Sequence, residues 1–495
     1  MNGLTGMRMK SNGCRSLLIL CMLLMSGSLW AASGKSVAKG AAGGLHLAVQ
    51  APALKNTKMF LGQYYMSKLY SKDSILLDEK GNGAFVGEEP LPEGLYVLYF
   101  SDTQYFDVMI GKDQSIKVQV DTTDLPHNVR FNGADETIAF YDYSAFLADR
   151  QKTNAALAQQ RKALSEQSQP DSLKLKQLEN KAKQLNEEVI AYQHQLTQTY
   201  KDGMLGVFIR GLMHPELPEF EIPSEASNPD SLKRALQYGF VRDHYLDSLN
   251  LSDERTFRTP YIRSLLDTYV NRMLVQQYDS IIPPAIRLVE RSRGDEHCFQ
   301  NVANYFLDYA VKSNMMGIDK LTVELGHRYY LSGLATWADS TLKANIGSEV
   351  RKIETSLVGM QAHNVALCDT LGRYRNLYDM CGDQITILFF FEPGCGHCKK
   401  ATPKVRDFYE QYKDDPRINL IACYLLEDEK EWRDFIKEYH TECFMNVWDP
   451  KRSSYYWYWY DTSSTPMIYV LKGHTIFAKK IDAESLEMIA KYELK

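Results

Sequence analysis

Phe389-Phe390-Phe391-Glu392-Pro393-Gly394-Cys395-Gly396-His397-Cys398-Lys399-Lys400 is the stretch whose reading decides the fold of the C-terminal part. The apolar run Ile385 to Phe391 breaks at Glu-Pro-Gly and gives way to a helix-prone segment, about Gly396 to Tyr412. A short, almost wholly apolar run before a turn predicts a buried strand. Cys395 therefore stands where strand becomes helix. Unpaired backbone N–H groups and the macrodipole favour an anion there, which stabilises a Cys395 thiolate. Cys398 falls one turn inside the helix, more shielded and within disulfide reach. The spacing predicts an attacking thiolate, a resolving thiol, and a Cys395–Cys398 disulfide reached through a mixed disulfide with a substrate. His397 is expected to lower the Cys395 pKa further and make the couple more oxidising.

Strands and helices alternate around this stretch. Strands are expected at Asn364–Leu367, Ile418–Leu425, Phe444–Trp448, Met467–Leu471 and Thr475–Lys480. Helices are expected at Lys430–Tyr439 and Ala483–Tyr492. Such alternation implies a mixed α/β sheet, in a domain spanning 358–495. Thr465-Pro466 opens one apolar strand, where proline is tolerated only at a start or an edge. A cis bond is expected there, exposing backbone polar groups to a substrate peptide. Thr465, Pro466 and Gly396 are the candidate substrate contacts.

Further upstream the period changes twice. Residues 45–130 alternate short apolar runs with turn signals. Strands are expected at Lys58–Tyr65, Ser74–Leu77, Leu95–Phe100 and Ser115–Val120, with turns at Asp78–Gly83 and Pro90–Gly94. That spacing indicates a small antiparallel β-sandwich. Residues 135–357 read as an all-α domain. Leu175, Leu178, Ala182, Leu185, Val189, Tyr192 and Leu196 form a heptad seam, predicting a helical hairpin over 136–200 with Asp171 or Ser172 as N-cap. Helices are expected at Ser231–Asp247, Pro260–Gln277, Pro284–Arg293, Cys298–Ser313 and Lys320–Ser332, with a last one ending near Leu357. Prolines, Pro283-Pro284 among them, punctuate the series. His244, His297 and His327 lack paired ligand spacing and read as packed or surface residues.

The first residues resemble a secretory leader, 1–32. Arg8, Lys10 and Arg15 precede the apolar Leu17–Met25, and small residues follow up to a cleavage site near Ala31 or Ala32. The apolar run is short of the ~20 residues a membrane span needs. Cys21 follows Ile19 and Leu20 rather than the small residues of a lipoprotein site. A periplasmic or other envelope location is expected. The net charge of −5, without a basic stripe, argues against nucleic acid. Of nine cysteines, Cys14 and Cys21 lie in the leader; the other seven are scattered and only Cys395 and Cys398 have chemical spacing.

These residues resemble the thioredoxin-fold proteins of the bacterial envelope, the class that includes TlpA and ResA. The likeness rests on Cys395-Gly396-His397-Cys398 after an apolar strand and on Thr465-Pro466 before Met467–Gly473. Val358–Val365 resembles the family's opening, with His363 where proline is usual. Leu251–Pro260 is similar to an uncharacterised helical domain found ahead of such modules, and the β-rich part to the sandwich that accompanies them. The resemblance implies a thiol–disulfide oxidoreductase acting on envelope protein thiols and disulfides, with no cofactor and with a membrane electron donor if it works as a reductase. It leaves the oligomeric state open. Thioredoxin proper has a tryptophan just before the first cysteine and a buried aspartate six residues before it; here Gly394 and Phe389 stand there. Glu392 is then the candidate general base for Cys398.

Three rival readings exist. A zinc site would recruit His440 and Cys443, whose spacing matches no common motif. A peroxidase of the peroxiredoxin kind would need threonine where Glu392 stands. A non-enzymatic envelope scaffold with a vestigial C-terminal domain would be indifferent to loss of Cys395.

Overall fold

The computed structural model describes residues 44–125, 128–167, 171–382 and 385–494. The expected leader, 1–32, lies outside the described residues. The chain divides into two compact units, one ending at Met273 and one beginning at Leu274. The stretch 135–357, expected as one helical domain, is thus shared between them. A sheet-rich N-terminal part, a helical middle and a C-terminal α/β part follow one another along the chain.

In the first unit the strands are β1 (His46–Gln50), β2 (Lys58–Tyr65), β3 (Lys68–Leu76), β4 (Asn82–Val86), β5 (Gly94–Tyr99), β6 (Tyr105–Ile110), β7 (Ser115–Val120) and β8 (Val129–Gly133). They form two sheets, β4-β1-β7-β8 and β3-β2-β5-β6. Leu47, Phe85 and Val118 of one sheet share a buried core with Leu61, Leu98 and Val108 of the other. Period-two alternation, cleanest in β7, puts these residues on the inner faces. The sandwich departs from the antiparallel expectation at one pair, since β1 and β7 run parallel. Asn82 and Gly83, read as turn residues, instead begin β4 and pair with Gln50 and Val49.

Helices Asp135–Ser165 and Ser172–Thr199 form the expected hairpin. The Asp171 carboxylate caps the second, accepting the Leu173 and Lys174 N–H groups at 3.1 Å. The heptad positions are its buried or half-buried residues. Gln193 donates to the Tyr143 hydroxyl at 2.8 Å, and Arg150 pairs with Glu188 at 2.9 Å, fixing the helices in register. Shorter helices complete the unit, and Ile262–Thr268 continues as a π-turn over Tyr269–Met273.

The second unit opens with helices Tyr278–Arg291, Glu296–Lys312, Asp319–Leu325 and Ser340–Ile353. Pro283 and Pro284 do not punctuate; they lie inside the first of these. Burial of Ile281, Ile282, Ala285, Leu288 and Val289 along one face carries the helix through two missing N–H donors.

Its sheet contains β9 (Ala366–Asp369), β10 (Tyr374–Asn376), β11 (Ile385–Phe391), β12 (Ile418–Tyr424), β13 (Met445–Trp448), β14 (Met467–Lys472) and β15 (Thr475–Lys479), in the order β10-β9-β13-β12-β11-β14-β15. β11, β12 and β13 are parallel to one another; β14 runs antiparallel to β11. β11 is buried along its whole length. Ile385, Ile387, Phe389 and Phe391 enter one core, Leu388 and Phe390 the core on the opposite face. A strand covered on both faces must be apolar throughout, which is why its sequence does not alternate. Helices Gly396–Tyr412, Glu429–Tyr439 and Leu486–Glu493 cover the first face through residues such as Phe408, Trp432 and Leu486. On β15, Lys479 is 1% exposed and its ammonium lies 2.5 Å from the Asp319 carboxylate, tying the helices of this unit to its sheet.

Candidate active site

After β11 the chain turns sharply, with the Cys395 N–H donating to the Glu392 carbonyl at 3.1 Å. Cys395 keeps extended backbone angles, φ −78° and ψ 118°, and caps the helix that starts at Gly396. Its sulfur accepts the Cys398 N–H at 3.3 Å. That N–H has no helical carbonyl to bond, so the sulfur takes the place a serine or aspartate oxygen takes in other helices. The helix start thus solvates the sulfur with its own orphan donors.

The second element reaches the same sulfur from far along the chain. The Thr465–Pro466 bond is cis. The Cys395 thiol donates to the Thr465 carbonyl at 3.2 Å. Antiparallel pairing of β14 with β11, Met467 opposite Phe390, sets this approach.

The two cysteines differ electrostatically. Burial pushes the Cys395 thiol up, but hydrogen bonding with the Thr465 side chain and with the Cys398 and His397 N–H groups outweighs it. The net result lies below the ordinary thiol value. Cys398 is fully buried, and burial pushes its thiol up to about 12. Both are thiols in this structure. Cys395 is therefore the more readily ionised of the two, and Cys398 is held protonated.

The remaining sequence candidates fall around this pair. The His397 side chain is exposed, and its backbone N–H is the part that lowers the Cys395 pKa. Gly396 is exposed, and a Cβ built on it would meet nothing within 4 Å. Glu392 is half-buried and meets both cysteines through its main chain. Phe389 is 1% exposed, packed where thioredoxin proper has its aspartate. Among the described residues no group of three or more His, Cys, Asp or Glu is placed to hold a metal ion. His244 and His327 instead lie 2.7 Å from the Asp247 and Glu354 carboxylates.

The other thiols are quieter. Burial pushes Cys381 up to about 11 and Cys423 higher still. Cys443 is exposed, yet desolvation and the adjacent Glu410 carboxylate push it up to about 11.

One feature near the site is absent from the candidates drawn from sequence. Tyr455-Tyr456-Trp457-Tyr458-Trp459-Tyr460 forms a short helical turn just ahead of Thr465. Six consecutive aromatic residues were a legible signal in the sequence itself.

A sheet with a parallel centre, a dithiol at the helix start after its fully buried strand β11 and a cis-proline facing it define a thioredoxin-like domain. Residues 382–475 match the family model described as thioredoxin-like. No curated protein matches the chain. A solved thioredoxin-like protein from Bacteroides caccae aligns over 56% of this chain and 99% of its own, at 18% identity and a TM-score of 0.43. A domain of a possible thiol-disulfide isomerase from Cytophaga hutchinsonii is 36% identical over 28% of this chain and 94% of its own, with a TM-score of 0.26. The thioredoxin domain of a thiol-disulfide oxidoreductase from Bacteroides vulgatus is 22% identical over 28% of this chain and 97% of its own, again at 0.26.

Proposed function

We propose that this chain is a thiol–disulfide oxidoreductase that exchanges disulfides with proteins of the bacterial envelope through Cys395 and Cys398. The observation that carries the reading is a single sulfur, Cys395, capping a helix at 3.3 Å from the Cys398 N–H and 3.2 Å from the Thr465 carbonyl. The charged and apolar pattern of residues 1–32 supports export to the periplasm.

The Cys395 thiolate attacks one sulfur of a substrate disulfide. A new S–S bond forms, the substrate's own S–S bond breaks, and its other sulfur leaves as a thiolate that takes a proton. Cys398 then gives up its proton, with the Glu392 carboxylate as acceptor, and attacks the Cys395 sulfur. The mixed disulfide breaks, the substrate's second thiolate departs, and the Cys395–Cys398 disulfide remains. Two electrons have passed to the substrate; the reverse sequence oxidises it. Turnover as a reductase draws electrons from a membrane donor. Thr465, Pro466 and Gly396 line the approach of the substrate chain to Cys395.

Trapping tests this directly. Full-length Cys398→Ser protein, expressed in its own envelope, is expected to accumulate mixed disulfides that thiol reductants release and that vanish on adding Cys395→Ser. Recovery of the same partners without Cys395 would refute the assignment.

A further inference from the structure

We propose that the aromatic turn Tyr455–Trp459 is a docking shelf for apolar polypeptide segments flanking the disulfide that Cys395 attacks, so that its rings select the substrate. The inference rests on the redox reading above and names what that site prefers.

Hydrogen bonds place the shelf at the dithiol end of the sheet. The Tyr456 hydroxyl donates to the Leu425 carbonyl at 2.7 Å, and the Leu425 N–H donates to the carbonyl of Phe391, the last residue of β11, at 3.2 Å. The chain leaves the shelf at Tyr460 and shortly reaches Thr465, whose carbonyl meets the Cys395 sulfur. Leu426, beside the Leu425 that Tyr456 holds, is 40% exposed, and in this proposal a substrate chain bound at Thr465 runs on over Leu426 and the outward rings.

The turn sorts its rings by helical spacing. Tyr456 and Tyr460 are 7% and 1% exposed and belong to the core, whereas Tyr455 and Tyr458 are 61% and 53% exposed. The outward rings are held in place. Tyr455 adopts φ 52° and ψ 32°, left-handed angles that a bulky aromatic residue rarely takes, and Arg452 before it also has φ 50°. The Asp449 carboxylate, 3% exposed, fixes that loop by accepting the Ser453 and Ser454 N–H groups at 3.1 and 2.8 Å and the Ser454 hydroxyl at 2.7 Å. The Arg452 guanidinium, paired with Glu427 at 3.2 Å, lies 4.4 Å from the Trp457 ring centre. His363 stacks on Trp459 at 3.8 Å. Tyr455 and Tyr458 lean on Trp457 and Trp459, ring centres 5.5 and 4.7 Å apart, and the Thr355 hydroxyl donates to the Tyr458 and Trp459 carbonyls, so both outward rings are fixed while they stay exposed.

The occupant follows from this chemistry. The shelf presents apolar rings with polar tips, and its cation is already paired, so it offers little to an anionic ligand. Rigid tyrosine and tryptophan rings give a polypeptide large contact area at low entropic cost. Apolar side chains beside a cysteine, exposed in an unfolded or misbridged protein, fit that surface.

The test uses full-length reduced protein and two peptides, each carrying one cysteine as a mixed disulfide with thionitrobenzoate. One has Leu, Phe and Tyr around the cysteine, the other Ser and Gly. Attack by Cys395 links it to the peptide and releases the coloured thionitrobenzoate anion; Cys398 then displaces the peptide thiol. Wild type is expected to react about tenfold faster with the apolar peptide. Tyr455→Ser with Tyr458→Ser, both at exposed positions, brings that ratio near one. Their rate with Ellman's reagent, too small to need the shelf, stays unchanged and certifies the folded dithiol. An equal ratio in the variant and wild type, with Ellman's reagent still reacting, overturns the shelf and leaves the redox reading standing. Failure of wild-type Cys395 to react with Ellman's reagent overturns the redox reading, and the shelf falls with it.

Discussion

The Thr465 carbonyl oxygen lies 3.2 Å from the Cys395 sulfur, seventy positions earlier in the chain. The contact joins the two halves of the site, a helix start and the entry to an antiparallel strand. The ease with which Cys395 ionises depends on the atoms that surround it there, and those supplied by side chains can be removed one at a time.

Alkylation of Cys395 by iodoacetamide in Cys398→Ser protein is expected to rise with pH and level off below the range of an ordinary cysteine. The sign follows from the environment: donors that favour the thiolate keep it populated at lower pH. An inflection at or above the value of a free cysteine would contradict the account of the helix start.

Thr465→Val keeps the main chain and removes the hydroxyl that assists both sulfurs. The Cys395 inflection should then move upward, by up to about one pH unit, the worth of one hydrogen bond. No movement would leave the backbone N–H groups as the only source of the lowered pKa.

Glu392 touches the dithiol through its main chain, so Glu392→Gln should leave the Cys395 inflection unaltered. If its carboxylate accepts the Cys398 proton, release of a preformed mixed disulfide slows by about a hundredfold, the low end for a lost general base. Single-turnover release at neutral pH separates the two effects. An unchanged release rate would assign the proton to water or to the departing thiolate.

Lys479 and Asp319 offer a stability test remote from the chemistry. Removing one partner of a buried ion pair strands the other, and Lys479→Ala should destabilise the second unit by about 3–5 kcal/mol. Urea unfolding of Lys479→Met with Asp319→Asn should recover much of that loss. Additive losses in the double variant would mean the two groups do not interact.

How much of this was legible before folding depended on whether a feature was local. Ile385–Phe391 and Gly396–Tyr412 carry their boundaries in their own residues, and the structure reproduces both. The hairpin seam was equally local. β1, β4, β6 and β8 have no counterpart in the sequence reading; β1, β4 and β8 are five residues each, and in β4 only Phe85 is fully buried. The parallel pairing of β1 with β7 joins distant segments and has no signature in either. Pro283 and Pro284 obey tertiary burial over local preference. Lys479 and Asp319 lie far apart in the chain, and only the packed structure brings them together. In the site, the cysteines and Thr465-Pro466 were legible; the sulfur's role as a helix cap and the Asp449-pinned loop were not.

Raised pKa values elsewhere set the other thiols apart from Cys395. With thiols pushed up to about 11, Cys381 and Cys443 stay almost wholly protonated at neutral pH. Such bystanders would rarely compete for a disulfide, which leaves Cys395 readier to react than either of them. Spare sulfur held protonated in this way stays out of exchange with its neighbours.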